Sequence, residues 1–248
     1  MMPPRLDRFA ALLIGALAIG CSSDSSVAPT VTTPDLSSVL KELSSPVFGG
    51  GTLLGSAAMP RSPTPSGCSY AASSQSFVCP TVSVSGVSFA QSYVLLDAGG
   101  KPQSQWGNTI AAVRMKTSAA GSTTSAGTSD VFDLQQELTL SGLLSGVHTL
   151  DGTSMLKTTT EANTTLVTTT TSTTMTGLVL PDASAGTNAY PKSGSVTAAV
   201  TTTTGGRTST LQMQMTFNGT SKVAVVFTIQ GVTTRCTIDL ASNNPACA

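Results

Sequence analysis

Four groups of residues in this 248-residue sequence have the types and spacing to do chemistry. Ser154-Met155-Leu156-Lys157 has the S-x-x-K spacing of a serine nucleophile and its lysine, and Lys192-Ser193-Gly194 is a variant of K-T-G. Asp130, Asp133 and Glu137 are close enough in sequence to suggest acid/base work by carboxylates. His148 is the single histidine, so a Ser-His-Asp triad or a histidine-bound metal would have to use it. The fourth group is the five cysteines, Cys21, Cys68, Cys79, Cys236 and Cys247.

The first three groups weaken when their surroundings are read. S-x-x-K with a K-T-G variant is similar to two of the three motifs of penicillin-recognising serine enzymes. Yet no S-x-N or Y-x-N lies between them, only about 35 residues separate them, and residues 147–160 read as strand where that family places a buried helix. No G-x-S-x-G elbow accompanies His148, which reads as a solvated residue at a strand start. The carboxylates read the same way. No H-E-x-x-H, EF-hand, P-loop or dinucleotide fingerprint is present, since GGGTLLG at 49–55 lacks the Lys-Ser/Thr ending. Trp106 lies alone among turn residues as a packing lid, and only eleven aromatic residues occur in the whole chain, too few for an aromatic carbohydrate platform. The expectation is no enzyme, no catalytic residue, no cofactor and no metal site.

The cysteines are more informative. Arg5 and Arg8 precede an apolar run from Phe9 to Ile19, then Gly20 and Cys21, the plan of a secretory signal peptide. That run makes a helix of roughly 16 Å, about half of what a membrane-spanning helix needs. Leu17-Ala18-Ile19-Gly20-Cys21 resembles the lipobox of bacterial lipoproteins, with Ala18 where leucine is commoner. The resemblance implies cleavage before Cys21 and acylation of that cysteine, anchoring the chain to a membrane by lipid. It further implies a place in the cell envelope, with Ser22 favouring the outer membrane in an organism that has two. More than one acyl chain gives stable anchoring without help from the protein surface.

The remaining cysteines, Cys68, Cys79, Cys236 and Cys247, form two pairs, each with ten residues between its members. In an exported chain an even count reads as two disulfides, and the short loops favour local pairing although two other connectivities remain open. The spacing is not that of paired C-x-x-C zinc knuckles.

These elements divide the chain into a signal peptide (1–20), a lipidated cysteine and flexible tether (21–32), a short helix with an irregular segment (33–67) and a β domain (68–248). The helix is expected over about 34–44, where Thr33 and Pro34 start it and Leu36, Val39, Leu40 and Leu43 form one apolar stripe. The twelve Lys and Arg lose Arg5 and Arg8 with the signal and the twelve Asp and Glu lose Asp7, leaving ten against eleven. No basic patch exists for nucleic acid.

From Cys68 onward short β-prone runs alternate with turn residues. Leu211, Met213, Met215 and Phe217 alternate with polar residues before Asn218-Gly219, and Val223, Val225, Phe227 and Ile229 return on one face before Gln230-Gly231. The expected fold is all-β, an antiparallel meander of about ten strands forming a strongly curved sheet or barrel. Residues 118–129, SAAGSTTSAGTS, read as a loop. The tracts TTTT at 168–171 and 201–204 read as strand walls facing water, because a threonine array that orders ice would need a short fixed repeat and none is present.

Three functions fit this reading. One is a non-enzymatic structural or interaction module whose partner is an envelope protein. The second is a carrier of lipid or another hydrophobic ligand, because the anchor, tether, helix and meander are similar in architecture to the LolA/LolB-type half-barrel carriers. The third and weakest is a serine hydrolase.

Overall fold

The computed structural model describes residues 67–84, 86–125, 128–162, 165–181, 190–241 and 244–247. The expected signal peptide, Cys21, the tether and the helix over 34–44 lie outside the described residues.

Among the described residues fourteen strands follow one another: β1 (Ser69–Ala71), β2 (Ser76–Val78), β3 (Val82–Val84), β4 (Val87–Asp97), β5 (Pro102–Gln103), β6 (Ile110–Ser125), β7 (Thr128–Ser141), β8 (Thr149–Ala162), β9 (Thr165–Val179), β10 (Ser193–Thr204), β11 (Arg207–Thr216), β12 (Lys222–Ile229), β13 (Val232–Asp239) and β14 (Asn244–Cys247). They make one sheet in the order β1-β2-β4-β6-β7-β8-β9-β10-β11-β12-β13-β14, with β3 and β5 also paired to β4. Every ladder is antiparallel.

The all-β antiparallel expectation holds, and two details are corrected. The strands among the described residues number fourteen rather than ten because four short pieces escape a pattern search: β1 and β2 beside the first disulfide, β5 along β4, and β14. No ladder joins β14 back to β1, so the sheet is open rather than a closed barrel. The expected loop over 118–129 is also overturned. β6 runs on to Ser125, β7 starts at Thr128, and the two pair along fourteen positions. The Gly and Ser that read as loop are ladder residues. Gly121 is small because a Cβ there would lie 2.3 Å from the carbonyl oxygen of Gly86, not because the chain turns.

Strand alternation puts an unbroken row of paired positions on one face: Tyr70, Phe77, Tyr93, Met115, Leu138, Gly152, Met175, Val196, Met215, Val225, Cys236 and Cys247. Leu95, Val113, Leu150, Leu178, Val223 and Ile238 are buried in the same cluster. A single flat layer cannot bury its own face. Val196, Met215 and Val223 nevertheless have 0 % exposure, and Phe77 near one edge shares a cluster with Ile238 near the other. With no second layer among the described residues, this burial calls for a sheet that curves toward its apolar face.

Gly152 sits where that bending concentrates. The β8–β9 register shifts between Leu150 and Gly152, and the carboxylate of Asp151 accepts the backbone N–H of Gly177 at 2.7 Å across the irregularity. Gly152 has φ of 151°, and a Cβ on it would come within 2.2 Å of the Glu137 carbonyl oxygen. Gly152→Ala is therefore expected to cost about 2–3 kcal/mol from backbone strain and overpacking. Urea unfolding checks this, and an unchanged midpoint would contradict the assigned bulge.

Tyr93 stacks on Phe77 with ring centroids 4.8 Å apart and planes within 1°, and its buried hydroxyl has no hydrogen-bond partner. Burial disfavours the phenolate and holds this pKa above the ordinary tyrosine value of 10.0. The resulting stability is present in full below that value and is lost as pH rises through the higher folded-state pKa. Tyr93→Phe removes the unpaired hydroxyl as well as this alkaline loss. It should stabilise the fold by about 1 kcal/mol, with a flatter stability profile above pH 10. Denaturation at a series of alkaline pH values reads both effects.

Candidate functional site

The chemistry-bearing residues do not converge. In a strand, successive side chains point to opposite faces, so residues three apart cannot share one. Ser154, 8 % exposed, faces the core side, and exposed Lys157 faces away, so the S-x-x-K spacing brings no lysine to the serine. Asp130 faces the core side and accepts the Thr160 hydroxyl at 2.7 Å. Asp133 and Glu137 point the other way: Gln135 donates to Asp133, and Glu137 pairs with Lys116 at 3.2 Å and Arg114 at 3.8 Å. His148 lies in the turn before β8, where its carbonyl accepts the Leu180 N–H, and Trp106 is exposed between β5 and β6. Among the described residues no three His, Cys, Asp or Glu side chains gather where they could hold a metal ion.

The cysteines do converge. Cys68 bonds Cys79 and Cys236 bonds Cys247, the local pairing that short loops favour. Cys68 and Cys79 bracket the β1–β2 hairpin, while Cys236 and Cys247 are paired positions of β13 and β14. Each bond thus ties an outermost strand of an open sheet to its neighbour. Exposed sheet edges invite pairing with other chains, and short, anchored edge strands limit it.

The face turned away from the core carries the features that sequence reasoning missed. Outward positions of β8 to β11 stack threonines side by side. Thr159, Thr168, Thr203 and Thr208 form one row; Thr170, Thr201 and Thr210 form the next. Hydroxyl pairs join Thr159 to Thr168 at 3.4 Å, Thr201 to Thr210 at 3.5 Å and Thr203 to Thr208 at 3.0 Å. In a meander the register between hairpins lines up non-repeating tracts, so an array needs no tandem repeat. The TTTT tracts are only half strand wall: alternate threonines turn inward, and Thr202 is 7 % exposed beside Thr169 at 3.4 Å.

Further along the same strands the outward face is hollow. A trough of about 830 Å³ crosses from Ser76 and Val78 on β2 to Ser172 and Thr174 on β9. A second hollow of about 350 Å³ continues it from those two residues to Val226 and Thr228 on β12. The walls come from two rows of outward side chains. One includes Ser92, Lys116, Glu137, Thr153, Thr174 and Thr197; the other includes Ser118, Gln135, Met155, Ser172, Ala199 and Gln212. The one cation lining it, Lys116, pairs with Glu137, which also faces Arg114. Met155 and Val78, 45 % and 46 % exposed, are apolar spots among the hydroxyls, amides and small side chains of this surface. No sequence signal could have found the trough, because it is made by cross-strand register and curvature rather than by a local motif.

No protein-family model, curated protein or solved structure matches this chain.

Proposed function

We propose that this chain is an exported lipoprotein, anchored through lipid on Cys21, whose β domain is a non-enzymatic interaction module for another component of the cell envelope. The observation that carries the reading is the long outward trough, shared by nine strands and free of converging catalytic groups. Interaction sites that work by recognition need a shaped surface with convergent polar groups, and the hollowed outward face offers one.

The carrier reading is weaker. A carrier needs an apolar cavity too large for its own side chains to fill. Here the apolar face is occupied by Leu95, Leu138, Leu150, Met215 and Phe227, each at 1 % exposure or less. The hollow that remains open lies on the polar face. The hydrolase reading is weakened because Ser154 and Lys157 lie on opposite faces of β8.

A photo-crosslinking residue at Ser172, in the trough, should capture a partner in intact cells, and one at exposed Thr208, on the same face outside it, should not. Equal capture at both positions would dismiss the trough as the interaction surface.

A further inference from the structure

Resting on the lipid anchor of that reading, we propose that one end of the sheet lies against the bilayer that holds Cys21, touching the lipid through Trp106, Leu144 and Val147. Strands β4, β7, β9, β11 and β13 finish at this end, and β6, β8, β10 and β12 begin there. Trp106 stands in the connection into β6, while Leu144 and Val147 stand in the β7–β8 turn, and the three are 38 %, 55 % and 52 % exposed. The two segments adjoin, since the Leu143 N–H donates to the Ala111 carbonyl at 3.1 Å.

Single exposed apolar residues are ordinary, so their company decides what they mean. No Asp, Glu, Lys or Arg occurs from Gln103 to Val113 or from Leu138 to Leu150. At the opposite end Val131 and Leu166 are exposed too, but Asp130 adjoins the first and Glu161 is the cross-strand partner of the second. Burying those charges in lipid would be costly. The β7–β8 turn, by contrast, satisfies much of its own polar backbone. The Gly142 carbonyl accepts the Ser145 and Gly146 N–H groups, and the Ser145 hydroxyl donates to that carbonyl and accepts the Val147 N–H. A segment that leaves water for lipid needs such internal partners. Leu143 packs on the core cluster, which leaves Leu144 and Val147 directed away from it.

The remaining groups at this end suit a lipid surface. An indole joins a large apolar ring to one N–H, a combination that settles where hydrocarbon meets headgroups. Lys101, Lys192 and Lys222 are exposed here and favour anionic headgroups. Asp97 and Asp239 are engaged in their own turns: Asp97 accepts the Gly99 and Lys101 N–H groups and the Gln103 amide, and Asp239 accepts the Ala241 N–H. The 46 residues between Cys21 and Cys68, at up to about 3.3–3.6 Å each, are long enough for any end of the domain to meet the bilayer. Surface chemistry therefore selects the end. The acyl chains hold the protein, and the loop contact orients it with its strands standing up from the membrane.

Trp106 is the only tryptophan in the sequence, so its fluorescence reports the contact directly. The test places the full acylated chain in vesicles of phosphatidylcholine and phosphatidylglycerol, with and without lipid brominated just below the headgroups. Brominated lipid should quench Trp106. Leu144→Asp combined with Val147→Asp should abolish that quenching and open Trp106 to aqueous acrylamide, whereas Leu166→Asp at the opposite end should change neither. Flotation with the vesicles reads the anchor separately and should survive in every variant. A chain that floats while brominated lipid leaves Trp106 unquenched overturns the contact and spares the anchor. Quenching that persists in the double variant, or is lost equally in Leu166→Asp, also overturns it. A chain that does not float overturns the anchor and the contact with it. Should the double variant fold poorly, the wild-type response to brominated lipid decides alone.

Discussion

Breaking both disulfides, by reduction or by serine at all four positions, is expected to lower the unfolding free energy by about 5–6 kcal/mol. Each bond closes a loop with a sequence separation of 11. Closing such a loop removes conformational freedom from the unfolded chain worth about 3 kcal/mol. The two bonds tie different strand pairs, so their contributions add. A stability of roughly 5–15 kcal/mol would lose a large part of itself. The structural consequence is as important as the energy. β1 and β14 are three and four residues long, and without their covalent ties they leave β2 and β13 as bare edges. Reduced protein should therefore unfold at lower urea and also aggregate on standing. Urea titration with and without reductant, together with light scattering, measures both. An unchanged midpoint would mean that the edges hold without their staples.

The second large effect lies at the centre of the core. Phe227 on β12 is 1 % exposed and packs in the cluster that spans the sheet. Phe227→Ala removes the ring and leaves a cavity, and is expected to cost about 3–5 kcal/mol. Its neighbour Thr228, directed outward, should tolerate alanine within about 0.5 kcal/mol. The contrast between adjacent residues is the point. A sheet whose one face is sealed by its own curvature must show it, whereas a sheet whose core face takes up a ligand would soften the Phe227 penalty when that ligand is bound. Chemical denaturation of the two variants, read by circular dichroism, supplies the comparison.

These expectations indicate how much could be read before the coordinates. The hairpin from Leu211 to Ile229 was legible because Leu, Met, Val and Phe alternate strictly with polar residues, and a period of two has only one structural meaning. The local pairing of Cys68 with Cys79 and of Cys236 with Cys247 agreed with loop length. Residues 118–129 misled because Gly, Ser and Ala are common in loops, and nothing local reveals that Gly121 lies against Gly86. The sheet edges were missed because β1, β2 and β14 are too short to display a period. The outward face was illegible for a different reason. Thr174 of β9 neighbours Thr197 of β10 only through the register, and the trough depends on how the eight ladders joining its nine strands bend. S-x-x-K illustrates the converse: a spacing that suggests chemistry on a helix separates its residues on a strand.

We propose a lipid-anchored module with a self-filled core and an outward working face. Native mass spectrometry of the full-length chain, expressed in bacteria and released from their membranes in mild detergent, tests it most directly. The predicted result is one species beginning at Cys21, covalently acylated on that residue, with both disulfides formed and no lipid retained by the domain after dilution. A species with an unmodified Cys21, or one that keeps a non-covalent lipid through dilution, would contradict it.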